Sequence, residues 1–133
     1  MDPIQGLLQG WAAVSVPGNL LALAVGVLFG TVVGVLPGLG PVGAMAILMP
    51  LSFQLESTSA IILMAGIYYG AQYGGSTTSI LVNIPGEATS VITCLDGYQM
   101  TKRGRAGAAL SVAAVGSFVA GTIAVVLLMF FAP

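Results

Sequence analysis

Of the 133 residues, 57% are hydrophobic and 5% charged, and the mean hydropathy is +1.05, whereas soluble globular chains carry about 25% charged residues. A net charge of -1 with three basic residues leaves nothing to line a phosphate track, so nucleic acid is excluded as a partner. A single cysteine, Cys94, and the absence of histidine exclude an internal disulfide, a zinc cluster and a His-based triad.

The uncharged tracts between Asp2 and Glu56, between Glu56 and Glu87, and after Arg105 are each long enough for a membrane span of about 20 residues. The fold class that follows is an all-α integral membrane protein, with glycine-striped transmembrane helices and broken helices or re-entrant hairpins. Residues 1–18 lack the basic n-region of a secretory signal, so no cleavage is expected. They read as an interfacial N-terminal segment, with Ile4, Leu7, Leu8 and Trp11 at helical spacing. Pro17 and Gly18 end that segment, and residues 19–133 form the transmembrane domain, with Asn19 expected to cap the next helix.

Residues 20–36 read as a span whose Gly26, Gly30 and Gly34 lie on one face, a pattern that lets membrane helices approach closely. The segment Pro37-Gly38-Leu39-Gly40-Pro41 must break the helix, because two prolines remove donors and the glycines permit positive φ. The next run, VGAMAILMPLSF, is short of a full span and contains Pro50. It suits a half-helix or one arm of a re-entrant hairpin, with a plain interhelical loop as the alternative.

Ser57 or Thr58 is expected to cap a helix over residues 61–73, with a second glycine step at Gly66, Gly70 and Gly74. Residues 74–79, GGSTTS, are too polar for a lipid-facing helix interior, and Asn83-Ile84-Pro85-Gly86-Glu87 interrupts the apolar run again. Two short arms around these interruptions predict a hairpin. Residues 95–107, with Asp96 neutralising or capping beside Lys102, Arg103 and Arg105, read as a cytoplasmic turn by the positive-inside rule. A last helix over residues 107–131 carries Ala109, Ala113, Ser117 and Gly121 at the small-residue step, which predicts a packed face.

Interrupted hydrophobic segments in corresponding positions point to a transport site. A carboxylate that loses its water needs fixed donors, and helix N-termini exposed at such breaks provide them. Candidate substrate contacts are therefore Gly38, Gly40, Gly75, Ser76, Thr77, Thr78, Asn83 and Gly86, with Pro37, Pro41 and Pro85 as helix breaks. Asn83, Thr78 and Glu87 are candidates for ion coupling, since freed carbonyls, hydroxyls and carboxylates suit a hard cation. Each has a plainer alternative: hydroxyls glue helices together, and an acidic residue at a helix start favours the dipole. No resident metal or cofactor is expected beyond a transient Na⁺ or H⁺.

The stretches GTVVGVLPGLGPVGAMAILMPLSF, AGIYYGAQYGGSTTSILVNIPGEATSV and TCLDGYQMTKRGRAGAAL, in that order, resemble the large membrane subunit of the tripartite tricarboxylate transporters, the TctA family. The resemblance covers nearly the whole chain after about residue 19, and family members are several times longer, so the chain matches their N-terminal portion. It implies cation-coupled secondary active uptake of citrate-like or other carboxylates across the bacterial inner membrane. It also implies a small membrane subunit and a periplasmic solute-binding protein as partners. A structural membrane subunit, whose glycines and polar motifs serve packing and assembly, is the alternative; a channel is less suited to a single polar hairpin. An enzyme is not expected, because Glu87 and Asp96 lack a partner for acid-base work.

Overall fold

The computed structural model describes residues 3–131, which form helices and turns in the order α1 (Pro3–Val14), α2 (Pro17–Gly34), α3 (Gly40–Ser52), α4 (Ser57–Val82), a 3-10 turn (Ala88–Ser90), α5 (Val91–Lys102) and α6 (Ala106–Phe131). Among the described residues no strand occurs. Among the described residues two helices, α2 and α6, are by length and composition long and apolar enough to cross a membrane. Bulky apolar side chains point outward along them, with Leu21 66%, Val32 68% and Phe118 76% exposed. Water would make that arrangement costly, whereas lipid is its natural solvent.

The core is the contact between α2 and α4, which run parallel. Gly26 lies against Leu63 and Gly66, Gly30 against Ile67, and Gly34 against Ala71, so residue numbers rise together along both helices. From the other side, Gly66 meets Leu23, Gly70 meets Val27, and Gly74 meets Thr31 and Gly34. Absence of side chains brings backbone to backbone: a Cβ built on Gly26 would stand 2.5 Å from the Leu63 carbonyl oxygen. Dispersion between closely packed backbones replaces the hydrophobic drive that lipid removes. Buried Ala22, Ala44, Leu63, Ile67 and Ala71 complete this core, Ala44 coming from α3, which packs beside the pair and mainly on α4.

Polar side chains pin the pair at both ends. At the start, Asn19 donates to the Ala13 carbonyl at 2.8 Å and accepts from the Ser59 hydroxyl at 2.5 Å. Near the far end, the Thr78 hydroxyl reaches the Val35 carbonyl at 2.9 Å. Asn19 is thus not the helix cap expected from sequence: α2 begins earlier, with Pro17 in its first turn behind an extended Val16, and Asn19 bridges elements instead. Ser57 and Thr58 do not cap α4 either; the helix starts at Ser57 behind an extended Glu56 without a side-chain cap bond.

The larger correction concerns residues 74–79. The chain does not break at GGSTTS; α4 runs unbroken for 26 residues. Its hydroxyls return to the backbone of the preceding turn, Thr77 to Tyr73 at 2.9 Å, Thr78 to Gly74 at 3.2 Å and Ser79 to Gly75 at 2.9 Å. Bonded in this way, Ser and Thr lose their polarity to the helix itself. Gly74, Gly75, Thr78 and Ser79 are also buried, and Ser76 and Thr77 partly so. Asn83 ends α4 in the left-handed conformation at φ 61°, its N–H bonded to the Ser79 carbonyl at 3.2 Å.

After Val82 the chain falls back alongside α4 until Gly86 touches Gly75, then climbs again as α5. There Gly97 packs on Ile80, and the Thr101 hydroxyl donates to the Ile80 carbonyl at 2.7 Å. The turn holding the basic cluster is shorter than residues 95–107: α5 continues to Lys102, and Gly104 at φ 74° makes the corner. Asp96 lies exposed inside α5 and caps nothing, while Lys102 stands 5.0 Å over the Tyr98 ring. On α6, of the four small residues at the predicted packed face only Ala109 is buried, and Gly121 has nothing within 4 Å of where a Cβ would stand.

Candidate functional site between two helix breaks

The turn between α2 and α3 exists because Pro37 cannot continue the helix and Gly38 and Gly40 adopt φ 89° and 60°, which a side chain resists. Pro41 then occupies the first turn of α3, where its missing N–H costs nothing. The second interruption, after α4, carries Pro85, Gly86 and Glu87 in irregular backbone before the 3-10 turn. These two breaks, 48 residues apart in sequence by number, meet directly: the Gly38 N–H donates to the Gly86 carbonyl at 3.2 Å. A Cβ on Gly40 would stand 3.6 Å from the Cβ of Glu87. Behind them Gly86 is pressed onto Gly75 so closely that any Cβ at Gly86 would collide with the α4 backbone.

Together the breaks line a cavity of about 530 Å³. Gly38, Gly40 and Pro41 stand on one side, Pro85, Gly86 and Glu87 on the other, and Gln72 of α4 closes the back. The first turn of α3 and the 3-10 turn leading into α5 both contribute, through Val42 and through Ala88 and Thr89. Two helix starts therefore lie beside one space: at the 3-10 turn the Glu87 carboxylate accepts from the Ser90 N–H in a capping box, the helix-start role that its position allowed, whereas the start of α3 has no side-chain cap and keeps free N–H groups and the positive end of a dipole. Such ends bind anions without arginine.

Within this cavity the acidic group is Glu87, partly buried. Ser90 fixes its backbone: the Ser90 hydroxyl accepts from the Glu87 N–H at 3.2 Å and donates to its carbonyl at 2.9 Å. The Gln72 amide lies between the Glu87 carboxylate and the Tyr68 hydroxyl, 3.2 Å from the latter. Oriented to match donor to acceptor, its NH₂ donates to both carboxylate oxygens, Oε2 at 3.2 Å and Oε1 nearer, while its oxygen accepts from Tyr68.

The candidate residues from sequence separate accordingly. Gly38, Gly40, Gly86 and Glu87 line one cavity, together with Pro41 and Pro85, while Pro37 lies in the turn just before it. Gly75 lies behind Gly86 as its packing partner. Ser76 lines an adjoining cavity of about 250 Å³ with Tyr68, Tyr69, Tyr73 and Ser117. Thr77 and Thr78 direct their hydroxyls at carbonyls, and exposed Asn83 serves the end of α4; none of the three lines the space between the breaks.

Comparison with known proteins agrees with these motifs. The model of the tripartite tricarboxylate transporter TctA family matches residues 20–133. The chain belongs to that family. It is also 53% identical over 133 residues to an uncharacterized 52.8 kDa protein in the TAR-I ttuC' 3' region of Agrobacterium vitis, a match that covers 100% of this chain and 26% of the relative. The chain thus spans about a quarter of that relative's length. No solved structure matches it. Membership of this family and two membrane-length helices among the described residues mark a membrane protein.

For a TctA-family chain, the residue that sequence reasoning passed over is Gln72. It sits inside a run of aromatic and small residues, AGIYYGAQYGG, where nothing in spacing or composition sets it apart. The available signal was its polarity: a glutamine in an uncharged membrane helix needs a partner, and the Glu87 that supplies it lies 15 positions on, across a break.

Proposed function

We propose that this chain forms part of the membrane subunit of a secondary active transporter for tricarboxylates or related carboxylates, which bind in the cavity between the two breaks. The observation that carries this reading is the contact of Gly38 with Gly86, because it joins two helix starts and one carboxylate around a single space of substrate size. The depth of that space supports it. At about 1.5 Å per residue, α4 is about 39 Å long, more than the roughly 30 Å of a hydrocarbon core. Gln72, at the cavity wall, lies 15 residues into it, about 22 Å from its start. In this reading α4 crosses the membrane beside its parallel partner α2, and the cavity lies within the membrane thickness, where irregular backbone is tolerated only if it lines such a space.

Coupling follows from charge. A carboxylate substrate entering beside Glu87 meets a like charge worth about 4 kcal/mol at 4 Å with an effective dielectric of 20. The uncapped start of α3 offsets part of this, and a cation bound at Glu87, Na⁺ or H⁺, removes the remainder. Substrate and cation then bind well only together, which is symport. Thr78 and Asn83, the other coupling candidates, act by holding the end of α4 in place.

In this reading, with the basic turn after α5 cytoplasmic by the positive-inside rule, the far end of α4 shares that side and the start of α2 takes the opposite face. Helix α1, with Ile4, Leu7, Leu8 and Trp11 exposed, then lies at the outer interface of the bacterial inner membrane. A periplasmic solute-binding protein delivering substrate would meet that face, and the small membrane subunit and the remainder of the polypeptide would cover apolar helix surface such as that of α6. The decisive experiment is uptake of a panel of labelled carboxylates by the full-length transporter in vesicles, with Na⁺ and H⁺ gradients imposed separately. Accumulation of a di- or tricarboxylate driven by one gradient supports the assignment; absence of gradient-driven uptake with the partner proteins present overturns it.

A further inference from the structure

Gln72 is the residue common to the two polar cavities, the one between the breaks and the one enclosed by Tyr68, Tyr69, Tyr73, Ser76 and Ser117. Its amide touches Tyr68 on one side and Glu87 on the other. An amide has one donating and one accepting end, so it can match a carboxylate with its NH₂ or a carboxylic acid or bound cation with its oxygen. A tyrosine hydroxyl donates and accepts equally well. The Gln72 amide has one terminal atom 3.2 Å from the Tyr68 hydroxyl, and that hydroxyl can donate to an amide oxygen there or accept from an amide nitrogen, so it would satisfy Gln72 in either orientation. Carboxylate, by contrast, accepts only, and therefore dictates which end of the amide faces it.

Resting on Glu87 as the coupling group, we infer that Gln72 is its positioning residue and turns its amide over when the Glu87 carboxylate gains or loses its proton or cation, so that the partition between the two cavities reports the state of the coupling site. Glu87 is the titratable group lining the cavity between the breaks, and Tyr68, Tyr69 and Tyr73, all from α4, are those lining the adjoining one. Neither α3 nor the turn before it contributes a charged side chain to the space, so the amide responds to Glu87 alone. With its oxygen toward Glu87, Gln72 adds a ligand for the bound cation; with its NH₂ there, it stabilises the empty carboxylate.

Infrared difference spectroscopy on the purified full-length transporter in lipid tests this without any substrate. Spectra are recorded between about pH 8 and about pH 4.5, a window spanning ordinary and raised carboxyl titrations, and again on adding Na⁺ at fixed pH. The wild type should show a carboxyl or carboxylate band together with a glutamine amide band. Gln72→Met should lose the amide band and keep the Glu87 band, and Glu87→Gln should lose both. An amide band that survives Glu87→Gln, or that is absent from the wild type while the Glu87 band is present, would overturn the inference and leave Glu87 as the coupling group. Absence of any band lost in Glu87→Gln would instead overturn the coupling role of Glu87 itself.

Discussion

Replacing Gly86 with alanine separates the two breaks, and the size of the effect follows from the packing. A Cβ at position 86 would overlap the Cα of Gly75 and stand 3.1 Å from its carbonyl carbon and oxygen, all backbone atoms of α4 that cannot rotate aside. The break must move outward, which forces a strain of about 1–3 kcal/mol typical of overpacking. Moving it also pulls the Gly86 carbonyl from the Gly38 N–H, a hydrogen bond worth about 0.5–1.5 kcal/mol. The sum, about 1.5–4.5 kcal/mol, corresponds to a roughly ten- to thousand-fold loss in carboxylate affinity or transport efficiency at about 1.36 kcal/mol per decade. The reciprocal change is mild. A Cβ on Gly75 would meet Gly86 at 3.5 Å and the Gly34 oxygen at 3.8 Å, ordinary contacts, so Gly75→Ala should keep transport within a few-fold of wild type. The assay is initial-rate uptake of labelled citrate by the full-length transporter with its partner proteins, normalised to the amount in the membrane. Wild-type uptake by Gly86→Ala, or equal losses in both variants, would refute the packing argument.

At the α2 and α4 contact, Gly30→Ala and Gly70→Ala each drive a methyl into the partner's backbone and should lower the thermal midpoint of the purified protein, whereas Gly116→Ala, with nothing within 4 Å, should leave it unchanged. Thr78→Val removes the hydroxyl bond to the Val35 carbonyl and should destabilise by about 1 kcal/mol, read as a shift of the same thermal midpoint. Glu87→Gln removes the like charge and the cation ligand together, so labelled citrate should bind to the purified transporter without its dependence on Na⁺ or pH, and concentrative uptake should fall to the level of passive exchange; cation-dependent binding that persists would contradict the coupling scheme.

Much of this was legible in the chain because proline and glycine act locally. Pro37, Gly38, Gly40 and Pro41 had to break a helix, and Pro85 with Gly86 had to do so again, whatever surrounded them. Residues 74–79 were misread for the opposite reason. Their polarity is cancelled by bonds to carbonyls one turn back and, at Gly74, Gly75 and Thr78, by packing against α2 and Gly86, and the packing is not visible without those neighbours. The same holds for Asn19, whose amide bridges Ala13 and Ser59 across a distance that no local pattern encodes. Gln72 was silent in sequence because its significance lies in Glu87 falling back to meet it, and that return depends on Gly86 fitting against Gly75.

The most direct measurement of the proposed carboxylate site is thiol labelling with substrate protection in the full-length transporter. Cysteines at Val42 and Thr89, which line the cavity from its two sides, are compared with one at buried Ala71 and one at Ser111, exposed on α6, in a background where buried Cys94 is replaced. A water-soluble reagent should modify the Val42→Cys and Thr89→Cys variants, and citrate with the coupling cation should slow both reactions while leaving Ser111→Cys unaffected. Lack of labelling at both cavity positions, or labelling that no member of a panel of di- and tricarboxylates slows, would contradict a carboxylate site between the breaks and favour a subunit whose glycines and polar groups serve packing alone.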